Sequence, residues 1–467
     1  MNQQDTICAV ATAQGGAIGI IRVSGPKAIA ATNNIFIPHN AKQGNLLQRD
    51  PYTLTFGYIH DKETNQRIDE VLVSLFRAPH SYTGEDSTEI SCHASPYILQ
   101  QVMQLLLHEG CRIAQPGEFT QRAFLHGKMD LSQAEAVADL IASTSAASHR
   151  LAMNQMRGGF SKQLSELRNQ LLHLTSLMEL ELDFSDHEEL EFADRKELNQ
   201  LAQHIETVIE RLVNSFSVGN AIKNGIPVAI IGATNAGKST LLNALVGEER
   251  AIVSNIHGTT RDVIEDTINL SGTLFRFIDT AGIRQTDDSI EAMGIERSFK
   301  AMALAEIVLL MYDLTQGEDT FRSFYEQIQQ HLAGKQVVVV MNKCDIATPP
   351  TTLPSFINTT QATYQTIAIS ARQQLHINEL ETILTDMATL PSLAPTEVVV
   401  TNARHYEALS NALQAIRRVE QGLQDNLSGD LVSQDLRECI FHLSDIVGEV
   451  TTDAVLGNIF SHFCIGK

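Results

Sequence analysis

The octet Gly232-Ala233-Thr234-Asn235-Ala236-Gly237-Lys238-Ser239 fits the pattern G-x-x-x-x-G-K-[ST]. It follows an apolar run, Pro227–Ile231, and opens a helical pattern, Thr240–Val246. Glycines at both ends let backbone N–H groups curl around phosphate oxygens, and the helix N-terminus adds its dipole. Lys238 is placed to reach the outer phosphates, and the Ser239 hydroxyl to ligate Mg²⁺. This octet alone does not separate adenine from guanine nucleotides.

Asn342-Lys343-Cys344-Asp345 makes that separation. It ends the apolar run Gln336–Met341, and a carboxylate at Asp345 can accept from both N1–H and the exocyclic amine of guanine. Adenine offers no such pair, and a site built on that pairing rejects the wrong base strongly. Ser370-Ala371 ends a further strand candidate, Gln365–Ile369, where a backbone N–H is placed to meet guanine O6. Asp279-Thr280-Ala281-Gly282 closes another strand; Asp279 is expected to hold Mg²⁺ through water, and the Gly282 N–H to sense the γ-phosphate. Gly258-Thr259-Thr260-Arg261-Asp262 precedes it, with Thr260 as a second hydroxyl ligand for Mg²⁺. The order of these elements predicts GTP binding. The expected nucleotide site comprises Asn235 to Thr240, Ser254, Asn255, Ile256, His257, Gly258 to Thr260, Asp279 to Gly282, Asn342, Lys343, Asp345, Ser370, Ala371 and Arg372.

GTPases of the Ras type orient the attacking water with a Gln just after Asp-x-x-Gly. Here the position is Ile283, which cannot. Two sources remain: a downstream acid among Asp287, Asp288 and Glu291, or a monovalent cation in place of an arginine finger. Asn235 offers a side-chain oxygen to such a cation, so the sequence predicts hydrolysis accelerated by K⁺.

These residues need a parallel sheet. Short apolar runs at Pro227–Ile231, Thr267–Leu270, Leu274–Ile278, Ile307–Tyr312, Gln336–Met341 and Gln365–Ile369 alternate with helical segments, the mark of strands covered on both faces. Helical patterns flank this cassette. Leu164, Leu167, Leu171, Leu174 and Met178 share one helix face, as do Leu198, Leu201, Ile205, Val208 and Leu212; Tyr406, Leu409, Leu413, Ile416 and then Leu436, Ile440, Leu443, Val447 follow it. An acidic run between Glu179 and Glu191 reads as a solvated face. Before about residue 118 the pattern mixes strands (Thr6–Ala13, Ile18–Val23, Tyr52–His60, Glu70–Arg77, Thr88–Ala94) with a helix, Tyr97–Glu109. The expected domains are 1–118, α+β; 119–222, helical; 223–388, a Ras-like P-loop G domain; and 389–467, helical again. The helical parts form one discontinuous domain carrying the α/β cassette as an insert.

The chain has 467 residues, with 34 Lys+Arg against 55 Asp+Glu, a formal charge of −21. That length accommodates several cores. The acidic balance argues against broad, non-specific coating of nucleic acid. Six scattered cysteines without a Cys-x-x-Cys pair argue against a disulfide framework and structural zinc. Apolar runs of five or six residues are too short for a bilayer, which needs about 20. With no basic, apolar leader at the N-terminus, a cytoplasmic, membrane-free protein is expected.

Further strings span the chain: Gly19-Ile20-Ile21-Arg22-Val23-Ser24-Gly25, Ser81-Tyr82-Thr83-Gly84-Glu85-Asp86, Pro116-Gly117-Glu118-Phe119-Thr120, the segment Gln133–Ile141, and Cys464-Ile465-Gly466-Lys467. With the nucleotide motifs they resemble the TrmE (MnmE) family of Era-like tRNA-modification GTPases. The resemblance implies an N-terminal folate-binding-like domain that forms a homodimer, and a flavoprotein partner, MnmG. It implies attachment of a carboxymethylaminomethyl or aminomethyl group at C5 of the wobble uridine of certain tRNAs, with a one-carbon unit from a tetrahydrofolate (5-formyl or methylene). It also implies K⁺-stimulated GTP hydrolysis through G-domain dimerisation.

By the same resemblance, Arg22, Glu85, Lys128 and Lys467 belong to the folate site. Asn235, Ser254, Ile256 (through its carbonyl) and Thr259 surround K⁺, and Glu291 positions water. Cys464 is either a catalytic thiol or a small residue beside the folate. The chain departs from the family at Thr234, where many members have Pro; at Ala94-Ser95, commonly Gly-Gly; and at Gln14, where many have Arg before the glycines. The alternative reading is an Era-like regulatory GTPase of ribosome assembly, which has no need of a folate-like site or of the terminal Cys-Ile-Gly-Lys.

Overall fold

The computed structural model describes residues 5–13, 15–40, 45–183, 195–250, 266–278, 299–350, 352–357, 362–388, 398–425, 427–450, 452–461, 463–464 and 466. The chain divides into two compact units. One comprises Met1–Ala138, Gln155–Ser176 and Leu436–Lys467; the other comprises Asp139–Asn154 and Leu177–Asp435.

The first unit is built on seven strands: β1 (Ile7–Val10), β2 (Ile18–Ser24), β3 (Phe36–Pro38), β4 (Thr53–Asp61), β5 (Gln66–Phe76), β6 (Ser87–His93) and β7 (Arg112–Ile113). Their order is β3-β4-β5-β6-β2-β1-β7. Only β1 and β7 run parallel. Alternation decides the faces. Val71, Val73 and Leu75 of β5, with Ile21, Val23 and Ile90, point into a core beneath the helices Ala28–Ile35 and Pro96–His108. On the other face Leu72, Leu54, Phe56 and Ile18 stand exposed. The first of those helices and the short strands β3 and β7 were not legible in advance: Ala-Ile-Ala-Ala-Thr-Asn-Asn-Ile carries no strong apolar period, and a two-residue strand carries none. A smaller core joins Leu131 and Ala134 to Leu456 and Phe460, so the helix Asp453–Ser461 near the C-terminus packs within this unit.

The second unit holds β8 (Ile226–Gly232), β9 (Asp266–Leu270), β10 (Thr273–Phe277), β11 (Ile307–Asp313), β12 (Gln336–Asn342) and β13 (Thr363–Ile369), in the order β13-β12-β11-β8-β10-β9. Every pair is parallel except β9–β10, a tight antiparallel hairpin. Every residue of β11 is buried, as expected for a strand covered on both faces. One face packs Leu241 and Leu245 of the helix Lys238–Arg250 and Leu380 and Leu384 of the helix Ile377–Met387. The other packs Phe321, Tyr325 and Ile328 of the helix Glu318–Ile328.

The helical patterns hold, with a shift of face in two helices. Leu164, Leu167, Leu171, Leu174 and Met178 are all buried in the helix Gly159–Asp183. In the helix Arg195–Asn214 the innermost row is Leu198, Ala202, Ile205, Ile209 and Leu212, so Leu201 and Val208 sit at its margin. The reason is the partner: this helix packs along the helix Ala403–Gln424, and small Ala202 allows close approach. Likewise Leu436, Cys439, Leu443 and Ile446 are buried where Ile440 and Val447 were expected. Asn402 caps the helix Ala403–Gln424, its side chain accepting from the Arg404 N–H at 2.9 Å. Of the acidic run, Asp186 to Glu191 lie outside the described residues. Among the described residues no helix is long and apolar enough to cross a membrane.

Candidate functional site

The loop Gly232–Ser239 leaves β8 and enters the helix beginning at Lys238. Asn235 and Gly237 take left-handed backbone at φ 63° and 96°. Asn tolerates this and Gly favours it. Gly237 has a second reason: a Cβ there would collide with the side-chain amide of Asn342. The Lys238 ammonium donates to the carbonyls of Gly232 and Ala233 at 2.8 and 2.9 Å. Burial lowers its pKa below the ordinary lysine value. Ser239 and Thr240 follow in the first helical turn, where the backbone N–H groups lack intrahelical partners.

Asn342, at the end of β12, holds three segments together. Its amide donates to the Ala236 carbonyl at 2.9 Å. Its Oδ1 accepts from the Lys343 N–H at 2.8 Å and from the Ala371 N–H at 3.1 Å. Asn342 is only 3% exposed, so these bonds form away from competing water. Lys343 has φ 68°, and its ammonium pairs with Asp313 at 2.6 Å. Asp345 is exposed, and its carboxylate accepts from Gln373 Nε2 at 3.1 Å, which orients it. The N–H groups of Ser370-Ala371, of which the sequence places one at guanine O6, are both engaged within the protein: Ser370 N donates to Leu375 O at 3.2 Å, and Ala371 N to Asn342. Arg372 stands next in that loop.

Asp313, Gln316 and Gln373 carry no nucleotide motif, and sequence reasoning missed them. Asp313 is buried, and burial pushes its carboxyl pKa up; the Lys343 ammonium and the Thr315 donors outweigh that and hold it below the ordinary carboxylate range. Ser254, Asn255, Ile256, His257, Gly258, Thr259, Thr260, Asp279, Thr280, Ala281, Gly282 and Glu291 lie outside the described residues, as does Lys467.

In the first unit two of the sequence-predicted charges meet at β2: Arg22 stands on it and Glu85 bonds to its Ser24. Arg22 donates through Nε to Glu89 at 2.9 Å, its cross-strand partner on β6, and through NH1 to the carbonyl of Gly466 at 3.4 Å. Its guanidinium stands 5.3 and 5.6 Å from the ring centroids of Tyr82 and Phe119. Gly466, at φ 95°, lies so close to β1 that a Cβ would meet the Val10 carbonyl at 2.6 Å. Glu85 accepts from Ser24 Oγ at 2.8 Å and from Arg122 NH1 at 3.1 Å. Arg122, 7% exposed, also binds Asp5 and Glu118, and is the hub the sequence did not reveal. Lys128 donates to the Pro79 carbonyl at 2.9 Å. Cys464 is exposed, and its carbonyl accepts from Gly117 N. Ala94, in the departure Ala94-Ser95, donates its N–H to the Ala17 carbonyl at 3.1 Å.

Comparison with known proteins gives the family. The MnmE helical domain matches residues 131–464, and the GTP-binding protein TrmE N-terminus matches residues 6–128. A tRNA modification GTPase MnmE of Parabacteroides distasonis is 66% identical over 99% of this chain and 100% of its own length. That of Flavobacterium johnsoniae is 49% identical over all of both chains. Among solved structures, an Aquifex aeolicus Era variant bound to GDP·AlF4⁻ matches 40% of this chain and 65% of its own, at 28% identity and a TM-score of 0.26. The family assignment rests on the sequence matches. The chain, whose loops Gly232–Ser239 and Asn342–Asp345 are joined by Asn342, belongs to the tRNA modification GTPase MnmE (TrmE) family.

Proposed function

We propose that this GTPase works in the cytoplasm with the flavoprotein MnmG. Together they attach a carboxymethylaminomethyl or aminomethyl group to C5 of the wobble uridine of certain tRNAs, the one-carbon unit coming from a tetrahydrofolate. The observation that carries the proposal is the convergence of Arg22, Glu85 and Gly466. A cation between two aromatic rings and a fixed carboxylate lie on one unit, together with the penultimate residue of the chain. That donor set fits a folate, which has glutamate carboxylates for a cation and pterin N–H groups for a carboxylate. Lys128 and Lys467 are further cations for the tail. Cys464, exposed beside this region, is open to a role as a thiol.

The domain reading that goes with it is a folate and dimerisation domain over 1–118, a helical domain over 119–222 and 389–467, and a G domain over 223–388. The exposed row Ile18, Leu54, Phe56 and Leu72 supports a homodimer, because a face of this kind favours a covering partner. In the G domain, Ser239 and Thr260 would offer Mg²⁺ hard hydroxyl oxygens, and Asp279 would hold it through water. Asn235, Ser254, the Ile256 carbonyl and Thr259 would offer K⁺ neutral oxygens, and Glu291 would orient water. The cations supply positive charge where negative charge develops on the phosphates; the chain holds the phosphates with its loop backbone and Lys238. The test is titration of the full chain with 5-formyltetrahydrofolate. Saturable binding, lost in Arg22→Ala and Glu85→Ala at unchanged GTP affinity, is expected; no binding by the wild type contradicts the folate reading.

A further inference from the structure

The segment Asp313-Leu314-Thr315-Gln316 belongs to none of the nucleotide motifs, yet it touches two of them. Asp313 is the last residue of β11 and pairs in register with Asn342 on β12. Its Oδ1 accepts from both the N–H and the hydroxyl of Thr315, at 2.9 and 2.7 Å, which fixes the carboxylate plane. Its Oδ2 accepts from the Lys343 ammonium at 2.6 Å. The Leu314 N–H donates to the Asn342 carbonyl at 3.2 Å. Three residues after Asp313, Gln316 Nε2 donates to the Thr234 carbonyl of the phosphate loop, also at 3.2 Å. One turn therefore grips the guanine loop at Lys343 and Asn342, and the phosphate loop at Thr234.

We infer that the turn Asp313–Gln316 is a positioning element that couples guanine recognition to the phosphate loop, with Asp313 setting base specificity through Lys343. Three observations carry this. Lys343 holds a left-handed backbone that a lysine rarely adopts, and the ion pair to Asp313 tethers the far end of its side chain. The Asp313 side chain is only 2% exposed and that of Lys343 32%, so the pair is partly shielded from screening by salt. The carboxylate also has an anchor of its own in Thr315, so it holds Lys343 in place instead of following it. Lys343 stands two residues before Asp345, the carboxylate that meets guanine. Asp313 and Gln316 are positioning residues: they act through Lys343 and through the Thr234 carbonyl.

The inference depends on the GTP site and on nothing in the folate or tRNA chemistry, so its failure leaves the proposed function standing. It is tested by calorimetric titration of the full chain with GDP and with inosine diphosphate, which lacks the exocyclic amine. Asp313→Asn keeps the shape and one acceptor but removes the charge. It is expected to weaken GDP binding about tenfold and inosine diphosphate binding distinctly less, so the preference for guanine shrinks. Gln316→Ala is expected to weaken both nucleotides equally, about threefold, and the double variant to lose less than the product of the two. Should Asp313→Asn fold poorly, Thr315→Val loosens the same carboxylate and is read by the same ratio. GDP affinity within twofold of wild type in Asp313→Asn, or equal weakening of GDP and inosine diphosphate, overturns the inference.

Discussion

The side-chain amide of Asn342 donates to the backbone carbonyl of Ala236 across 2.9 Å, from the end of β12 to the middle of the phosphate loop. The same side chain accepts from Lys343 and Ala371. One buried amide thus sets the spacing between the loop Gly232–Ser239, the loop that follows β12 and the loop after β13. A buried group with three bonds is costly to change, because each partner left behind is an unsatisfied polar group.

Replacing Asn342 by Asp keeps the shape, removes the donor to Ala236 and puts a carboxylate beside its carbonyl. We expect GTP affinity to fall at least about 100-fold, given about 1–3 kcal/mol for an orphaned buried group plus the repulsion. Equilibrium titration with GDP checks this; affinity within threefold of wild type contradicts it.

Gly237→Ala meets two obstacles, a positive φ and the Asn342 amide. The phosphate loop must shift, and GTP turnover is expected to drop by two orders of magnitude or more while the rest of the chain stays folded. A phosphate-release assay at saturating GTP, with circular dichroism alongside, reads both.

Much of this was legible in the sequence. The fully apolar runs became β8, β11 and β12, because a strand buried on both faces has no use for polar residues. The phosphate and guanine loops stand at the ends of those strands, where their spacing put them. Long-range polar pairing was not legible. Arg122 meets Asp5 across 117 positions and Glu85 across 37, and no periodicity announces either. Arg22 and Gly466 are 444 positions apart, and the family resemblance links Arg22 only to the next residue, Lys467. Ala202 displaced Leu201 from the centre of its helix interface because packing against a second helix rewards a small residue. Asp313 and Gln316 belong to no sequence motif, and only the loops they grip single them out.

Arg122→Met leaves Glu118 and Glu85 facing a methionine in a buried setting, and breaking a buried pair of this kind costs about 3–5 kcal/mol. Thermal unfolding of the first unit is expected to shift down by several degrees or more. The same network predicts acid sensitivity. Burial pushes Asp5 and Glu118 up, but Arg112 and Arg122 outweigh it and hold both carboxyls below their ordinary values. Their stabilisation is present above about pH 4 and is lost as pH falls through the lower folded values. Arg122→Met is expected to flatten that acid limb.

Glu420 lies across a helix pair from Glu206, whose carboxylate is held by Arg417 at 2.7 Å. Burial and then the Glu206 carboxylate push the Glu420 carboxyl up to about 7. A raised folded value binds the proton more tightly in the folded chain, so its contribution is full below about pH 4 and is lost as pH rises towards 7. Glu420→Gln is expected to remove that slope and to stabilise the chain at pH 8. Denaturant midpoints at pH 5 and pH 8 check it: equal slopes in variant and wild type contradict the pairing.

The most direct test of the central claim is nucleoside mass spectrometry on tRNA from the host with this chain deleted. We predict loss of the C5-substituted wobble uridine, restored by the wild-type chain and by neither Lys238→Ala nor Arg22→Ala. A wobble uridine unchanged by the deletion would contradict the account.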